Sequence, residues 1–380
     1  MIVSWIIFIN SIPEIKIINV LHEIIPYLFN MLSERNKEVA QNAMDCLKDL
    51  LKEIEIFFET LFYDVEVKIL EILIEQCKSN HDQTRLTAFE WINSFLSKYK
   101  YFLIQSKRTR SPYTKSIIIP KSSNTIAKSG GGLQAFTEIT VSNCEIFENF
   151  SRTDESNFGT SVTETGDKKI PFNLFPKILE VVIASVNHQD NDIKKISNFS
   201  NSDLLAIIDF YSDSNNANIK LYEEVLRNFL NMEEKDSTIE LVLLWINKLF
   251  RKFHEDMFSR LETFIDKICS VLLHPNENLF NMILDTICEI ARYKDDNVGV
   301  DIIITNILDK LSQNTISLND KGLLIIKKFC QFLNVERVYS TFADVLLRMK
   351  QNDFVEKMIN ILGVFLVTSK VIIYCDINSF

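Results

Sequence analysis

One short signature, a polar turn followed by the start of an apolar helix, recurs as ERNKEV, NHDQTRL, HQDNDI, EEKDSTI, HPNENL, SLNDKGL and KQNDFV. The first apolar residues after these turns are Val39, Leu86, Ile193, Ile239, Leu279, Leu323 and Val355. Most intervals lie near the ~40–47-residue period of HEAT or armadillo repeats. The last interval is shorter. The one from Leu86 to Ile193 equals one repeat plus about 60 further residues. A unit of this length is a helical hairpin that cannot bury its own faces, so neighbours must stack into one continuous core. The expected fold class is therefore all-α: a HEAT/armadillo-like α-solenoid of about seven helical hairpins with one long disordered insertion.

Two stretches are nearly alike, TAFEWINSFLSKY (Thr87 to Tyr99) and LVLLWINKLFRKF (Leu241 to Phe253), and VSWIIFINSI (Val3 to Ile12) echoes them. Leu86, Phe89, Ile92, Phe95 and Tyr99 step by three or four, as do Ile239, Val242, Ile246, Leu249 and Phe253. Each set is one apolar stripe of an amphipathic helix, widened by Trp91 or Trp245. The repeated Trp-Ile-Asn thus reads as the packing signature of the second helix of a hairpin. The turns before these helices supply Asp, Ser and Thr as N-cap candidates. With 28 Phe against 8 Gly and 7 Pro, the composition favours helices packed on helices over turn-rich sheets.

From about Ser106 to Asp167 the helical pattern stops and Ser, Thr and Gly take over, the signature of a weakly ordered loop. Lys107 to Lys128 carries six basic residues and no acid, while Glu138 to Asp167 carries seven acids and one Arg. The basic half, with Tyr113 and Ile117 to Ile119, has two readings. It is either a solvated loop or a contact for an anionic membrane surface or an acidic partner. Phosphorylation of Ser111 would weaken such a contact.

The net charge of −10 argues against nucleic acid as the main partner, because phosphate binding needs a dense positive surface. The seven cysteines, 46, 77, 144, 269, 288, 330 and 375, are widely spaced and form no C-x-x-C, so they read as reduced, buried cytosolic thiols. The apolar start lacks the basic region and cleavage site of a signal peptide, and no run reaches the ~18 apolar residues of a membrane span.

The search for chemistry is mostly negative. His22, His81, His188, His254 and His274 show no metal-ligand spacing; His81, His188 and His274 fall in inter-helix turns. In AKSGGGLQ (Ala127 to Gln134), Lys128 and Ser129 precede the glycines, the reverse of a phosphate loop. Glu233-Glu234 and Asp295-Asp296 sit before helices, where acids favour the positive end of the helix dipole. Asn149 and Asn198 match glycosylation acceptors, the second within a predicted helix. No catalytic, cofactor-binding or metal-ligating residue is assigned.

The segment VSWIIFINSIPEIKIINVLHEIIPYLFNMLSERNKEV (Val3 to Val39) resembles a characteristic block of the Vac-fourteen family of vacuole-morphology scaffolds. TRLTAFEWINSFL (Thr84 to Leu96) and LFPKILEVVIASVNHQDNDIKKISNFSNSDLL (Leu174 to Leu205) resemble its following repeats. STIELVLLWINKLF (Ser237 to Phe250), KGLLIIKKFCQFLNVERVYSTFADVL (Lys321 to Leu346) and DFVEKMINILGVFLVTS (Asp353 to Ser369) are similar to the region that engages a lipid phosphatase. The resemblance implies a HEAT-repeat scaffold without catalysis or cofactor. It would hold a PIKfyve-type phosphatidylinositol 3-phosphate 5-kinase and a Sac-domain phosphoinositide phosphatase, and so control phosphatidylinositol 3,5-bisphosphate. The location implied is the cytosolic face of endosomes, lysosomes or vacuoles, with peripheral membrane contact only. It places partner contact in Ser237–Ser369, and self-association in a C-terminal part that stops matching after Ser369.

The expected organisation is HEAT-like repeats over 1–105, a low-complexity insertion over 106–168, and further repeat over 169–235. A phosphatase-binding helical region follows over 236–370, then an unmatched tail over 371–380. Relative to the family, the chain lacks repeats before the Ser-Trp-Ile block, and the 106–168 insertion is not a family feature. Two other readings stand beside the scaffold: another cytosolic helical-repeat adaptor, of nuclear-transport or protein-phosphatase type, and an enzyme whose site leaves no motif.

Overall fold

The structure, a computed structural model, describes residues 17–110, 169–211, 218–293, 297–313 and 318–368, with Ile6 and Ile12 as isolated positions. The described residues are helical, with no strand among them. The helices are α1 (Leu21–Met31), α2 (Lys37–Phe57), α3 (Tyr63–Gln76), α4 (Asp82–Arg110), α5 (Phe175–Ser185), α6 (Asn191–Ile208), α7 (Ile219–Asn228) and α8 (Asp236–Lys252). They continue as the short α9 (His254–Phe258), then α10 (Leu261–Ser270), α11 (Glu277–Tyr293), α12 (Asn297–Gln313), α13 (Leu318–Phe332), α14 (Val335–Arg348) and α15 (Asn352–Thr368). α4 runs a few residues past position 105. Residues 111–168, and with them most of the expected insertion, lie outside the described residues, as do most of the Val3–Ile12 echo and the tail from 369.

Stacking follows an every-second-helix rule. α1, α3, α5, α7, α10, α12 and α14 pack in succession as one layer. The second layer is α2, α4, α6, α8, α11, α13 and α15, joined by packing and by the side-chain bonds described below. Pairing one helix from each layer gives seven hairpins among the described residues, the repeat the turn signature predicts. One continuous core of buried side chains extends from Ile17 to Phe365. Residues before and after the expected insertion belong to the same compact unit. Tyr99 of α4 meets Phe175 of α5 at 5.6 Å between ring centres.

The two Trp-Ile-Asn helices, α4 and α8, use equivalent positions in the same directions. Each Trp packs backward: Trp91 sits edge-on to Phe29 of α1. Trp245 stacks on Tyr222 of α7, and its Nε1–H donates to Asn201 Oδ1 of α6 at 2.8 Å. Each Asn reaches forward to the next helix of the layer. Asn93 accepts from Ser200 Oγ at 3.4 Å, and Asn247 Nδ2 donates to Thr286 Oγ1 at 3.1 Å. The next residue turns back again, Ser94 to Glu55 and Lys248 to Asp209. One turn further, Ser97 reaches Asp203 and Arg251 reaches Glu289. The motif is therefore a packing signature in its Trp and Ile, and a rung between repeats in its Asn.

Caps differ in part from the expectation. Asn36, Asp190, Asn276 and Asn334 accept backbone N–H groups at the starts of α2, α6, α11 and α14. α8, however, starts from Lys235 with no side-chain cap. Its Asp236 instead accepts from Asn276 Nδ2, and Ser237 donates to Asn187. At α4 the acceptor for the Thr84 N–H is the His81 ring, not an Asp, Ser or Thr. Polar side chains at these turns are drawn into bonds with neighbouring turns, which compete with capping. His188 and His274 take part: each ring accepts a backbone N–H two residues on, and each lies within 4 Å of an Asp of the preceding turn.

Cys46, Cys77, Cys269 and Cys288 are buried and Cys330 is half-buried, all without disulfides. Burial pushes the Cys77, Cys269 and Cys288 thiols well up, and Asp266 and Asp285 add to this at Cys269 and Cys288. Since the thiolate is the nucleophile, maleimide at neutral pH is expected to spare these three in the folded protein and modify them in denaturant. Peptide mapping by mass spectrometry reads this site by site, and fast native labelling of Cys269 or Cys288 would contradict their burial.

Candidate interaction surface

α13, α14 and α15 form the last two helices of one layer with the last of the other, and their core faces follow helical spacing. α15 buries Phe354, Met358, Leu362 and Phe365, one stripe at steps of three or four. That stripe accounts for four of its ten large apolar residues. Ile359, Val364, Leu366 and Val367 point to solvent, Val367 with 86% of its surface exposed. A helix apolar on every side is normally a buried one, so α15 is apolar beyond what its own stack covers.

α13 extends this surface. Leu323 and Leu324 are exposed, and an open groove of about 340 Å³ between α13 and α15 is lined by Leu323, Lys357, Asn360, Ile361 and Val364. The two helices approach closely at Gly322, where an added Cβ would lie 3.2 Å from Ile361 Cδ1. Gly363 lies on the free side of α15 with open space where its side chain would be. It leaves a notch between Ile359 and Val367. Leu347 of α14, 85% exposed, adds a further apolar point. Large exposed apolar patches mark contact with other macromolecules.

The polar groups beneath this surface are structural. Tyr339 Oη donates to the Leu362 carbonyl at 3.1 Å and its ring stacks on Phe365, which ties α14 to α15. Burial pushes its hydroxyl up to about 12, with Cys330 adding to the shift. Lys321 Nζ donates to the His274 carbonyl and sits 4.7 Å above the Phe280 ring; desolvation lowers its pKa. A larger, polar cleft lies between α12 and α14, lined by Asp301, Glu336, Arg337 and Asp344 among others. Arg348 pairs with Asp301 at its edge. Among the described residues no group of three or more His, Cys, Asp or Glu is placed to hold a metal, and no helix is long and apolar enough to cross a membrane. AKSGGGLQ, Asp295-Asp296 and the basic segment beyond Arg110 lie outside the described residues.

Stacked two-helix repeats around one continuous core define a helical-repeat protein of the HEAT/armadillo class. A family model described as "Vacuolar protein 14 C-terminal Fig4p binding" matches residues 315–374, the part that carries the exposed apolar surface of α13 and α15. The protein VAC14 homolog of Arabidopsis thaliana is 23% identical over 97% of this chain, and that of Schizosaccharomyces pombe is 20% identical over 95%. The chain spans about two fifths of these relatives, 39% and 43% of their lengths. A designed armadillo repeat protein aligns with 83% of this chain and 98% of its own at 9% identity and a TM-score of 0.34. That score adds nothing to the stacking seen directly. The chain is thus similar to Vac14 proteins along most of its length, and to their Fig4p-binding region over residues 315–374. The family-model match begins at residue 315, so α8 to α12, within the expected Ser237–Ser369 contact segment, lie outside it.

Proposed function

We propose that this chain is a non-catalytic scaffold subunit. It binds a Sac-type phosphoinositide phosphatase through α13–α15 and a PIKfyve-type lipid kinase elsewhere, and so governs phosphatidylinositol 3,5-bisphosphate on endosomal, lysosomal or vacuolar membranes. The observation that carries this reading is the exposed apolar surface of α13 and α15, which falls within the match to a Fig4p-binding region. Two opposing enzymes on one frame meet each other and a shared membrane at high effective concentration. In this proposal the partners supply the catalysis.

The double variant Val364→Asp/Val367→Asp tests it. Both side chains are exposed, so the helical spectrum and melting temperature should hold, while carboxylates in the apolar contact should weaken phosphatase binding by at least about 2 kcal/mol, the scale of an interface hot spot. Co-expression with a Sac-type phosphatase and titration of the purified partners measures this. Undiminished binding by a folded variant would remove α15 from the contact. Failure of the wild-type chain to bind any such phosphatase would remove the proposed partner.

A further inference from the structure

The corner between α2 and α3 shows solvent the kind of side chains that the corners after α6 and α8 hide. α2 ends at Phe57, one 3-10 turn covers Phe58–Thr60, and α3 begins at Tyr63. Phe58 anchors the corner, packed edge-on to Phe95 and Tyr99 of α4 at 5.6 and 5.4 Å. Its neighbours face outward: Ile56 is 72% exposed, Phe57 50% and Phe62 64%. α4 runs alongside, held by the Ser94–Glu55 bond and the Phe58–Phe102 contact, and it presents the exposed Tyr101. The corners after α6 and α8, by contrast, bury Tyr211 and Phe253. The outward residues are thus held on a fixed base, and little ordering remains to be done on binding.

Within the corner segment itself the charge has one sign. Between Lys52 and Lys68 the chain carries Glu53, Glu55, Glu59, Asp64 and Glu66 and no basic residue. Glu66 is buried against Tyr99, while Glu55, Glu59 and Asp64 are exposed. We propose that this corner is a second docking surface, for a basic amphipathic segment of a partner protein. Its apolar side chains would cover Ile56, Phe57 and Phe62, and its Lys or Arg side chains would meet Glu55, Glu59 and Asp64. The carboxylates repel anionic lipid and nucleic acid, and they favour a cationic polypeptide. This surface is separate from the α13–α15 contact and does not depend on the identity of the partner there.

Fluorescence anisotropy with the full chain and a labelled amphipathic Leu/Lys peptide tests the proposal, with a Leu/Glu peptide of the same pattern as control. The Leu/Lys peptide is expected to bind, more weakly as salt rises, and hydrogen exchange should slow over residues 53–66 in its presence. Phe57→Ser/Phe62→Ser leaves the net charge unchanged and should lower the affinity about tenfold or more, as should Glu59→Gln/Asp64→Asn. Equal binding by Phe57→Ser/Phe62→Ser would show that net charge alone attracts the peptide and would overturn the proposal. So would protection elsewhere in the wild-type chain, a readout that needs no variant to fold. Partition of the wild type, but not of Phe57→Ser/Phe62→Ser, onto phosphatidylcholine vesicles would replace the protein partner with a lipid surface.

Discussion

Trp245→Ala is expected to destabilise the chain by about 3–5 kcal/mol, the range for truncating a buried large aromatic. The indole is fully buried between two repeats and joins three helices: α8 carries it, Tyr222 of α7 stacks on it at 5.9 Å, and Asn201 of α6 accepts its N–H. Truncation opens a cavity and also strips Asn201 Oδ1, in a residue only 8% exposed, of that bond. Trp245→Phe keeps a six-membered ring but loses the five-membered one with the donor, so it leaves a smaller cavity and the same orphaned Asn201, for which at least about 1–3 kcal/mol is expected. Urea unfolding followed by far-UV circular dichroism measures both. The helices around α6 to α8 should lose amide protection first, because each repeat is supported by its neighbours. A near-neutral effect of Trp245→Ala on folding, joined to lost partner binding, would move this residue from the core to an interface.

The repeat was legible because turns and stripes are written at helical spacing. Of the two stripes, Phe89, Ile92, Phe95 and Tyr99 are buried, as are Ile239, Val242, Ile246, Leu249 and Phe253; only Leu86, at the start of its helix, is half-buried. The forward reach of Asn93 and Asn247 was not legible, because nothing in a linear pattern says which neighbour a half-buried amide faces. The two apolar surfaces escaped for a related reason. Periodicity marks one stripe as core, and whether a second stripe is covered depends on which helix lies over it. A signal did exist in INILGVFLV, Ile359 to Val367, which holds more large apolar residues than one stripe can bury. At the α2–α3 corner, IFFETLF from Ile56 to Phe62 places five large aromatic or aliphatic residues beside a turn, but the sequence does not say that only Phe58 and Leu61 are buried.

Stability is expected to fall steeply above pH 10, and buried tyrosines set the slope. Tyr99, Tyr211 and Tyr222 are all buried, and burial raises each above the ordinary value of 10.0. Glu66 adds to the rise at Tyr99, whose hydroxyl donates to that carboxylate, and Tyr222 adds to it at Tyr211. The sign follows from the protons bound. Above pH 10 the unfolded chain releases these protons while the folded chain keeps them, so the folded state binds more and stability falls as pH rises. Their contribution is fully present below pH 10 and is lost through the range up to their folded values. Each retained proton is worth about 1.4 kcal/mol per pH unit, so three together give a slope of about 4 kcal/mol per unit. The buried thiols of Cys77, Cys269 and Cys288 act in the same direction from about pH 9. Urea unfolding at half-unit steps from pH 9 to about 11 measures the slope. Tyr211→Phe should make it shallower by about one proton, because phenylalanine has nothing to titrate in either state. The same slope in Tyr211→Phe as in the parent chain would mean that Tyr211 ionises in the folded protein as freely as in the unfolded one, and would contradict its burial against Phe172 and Phe253.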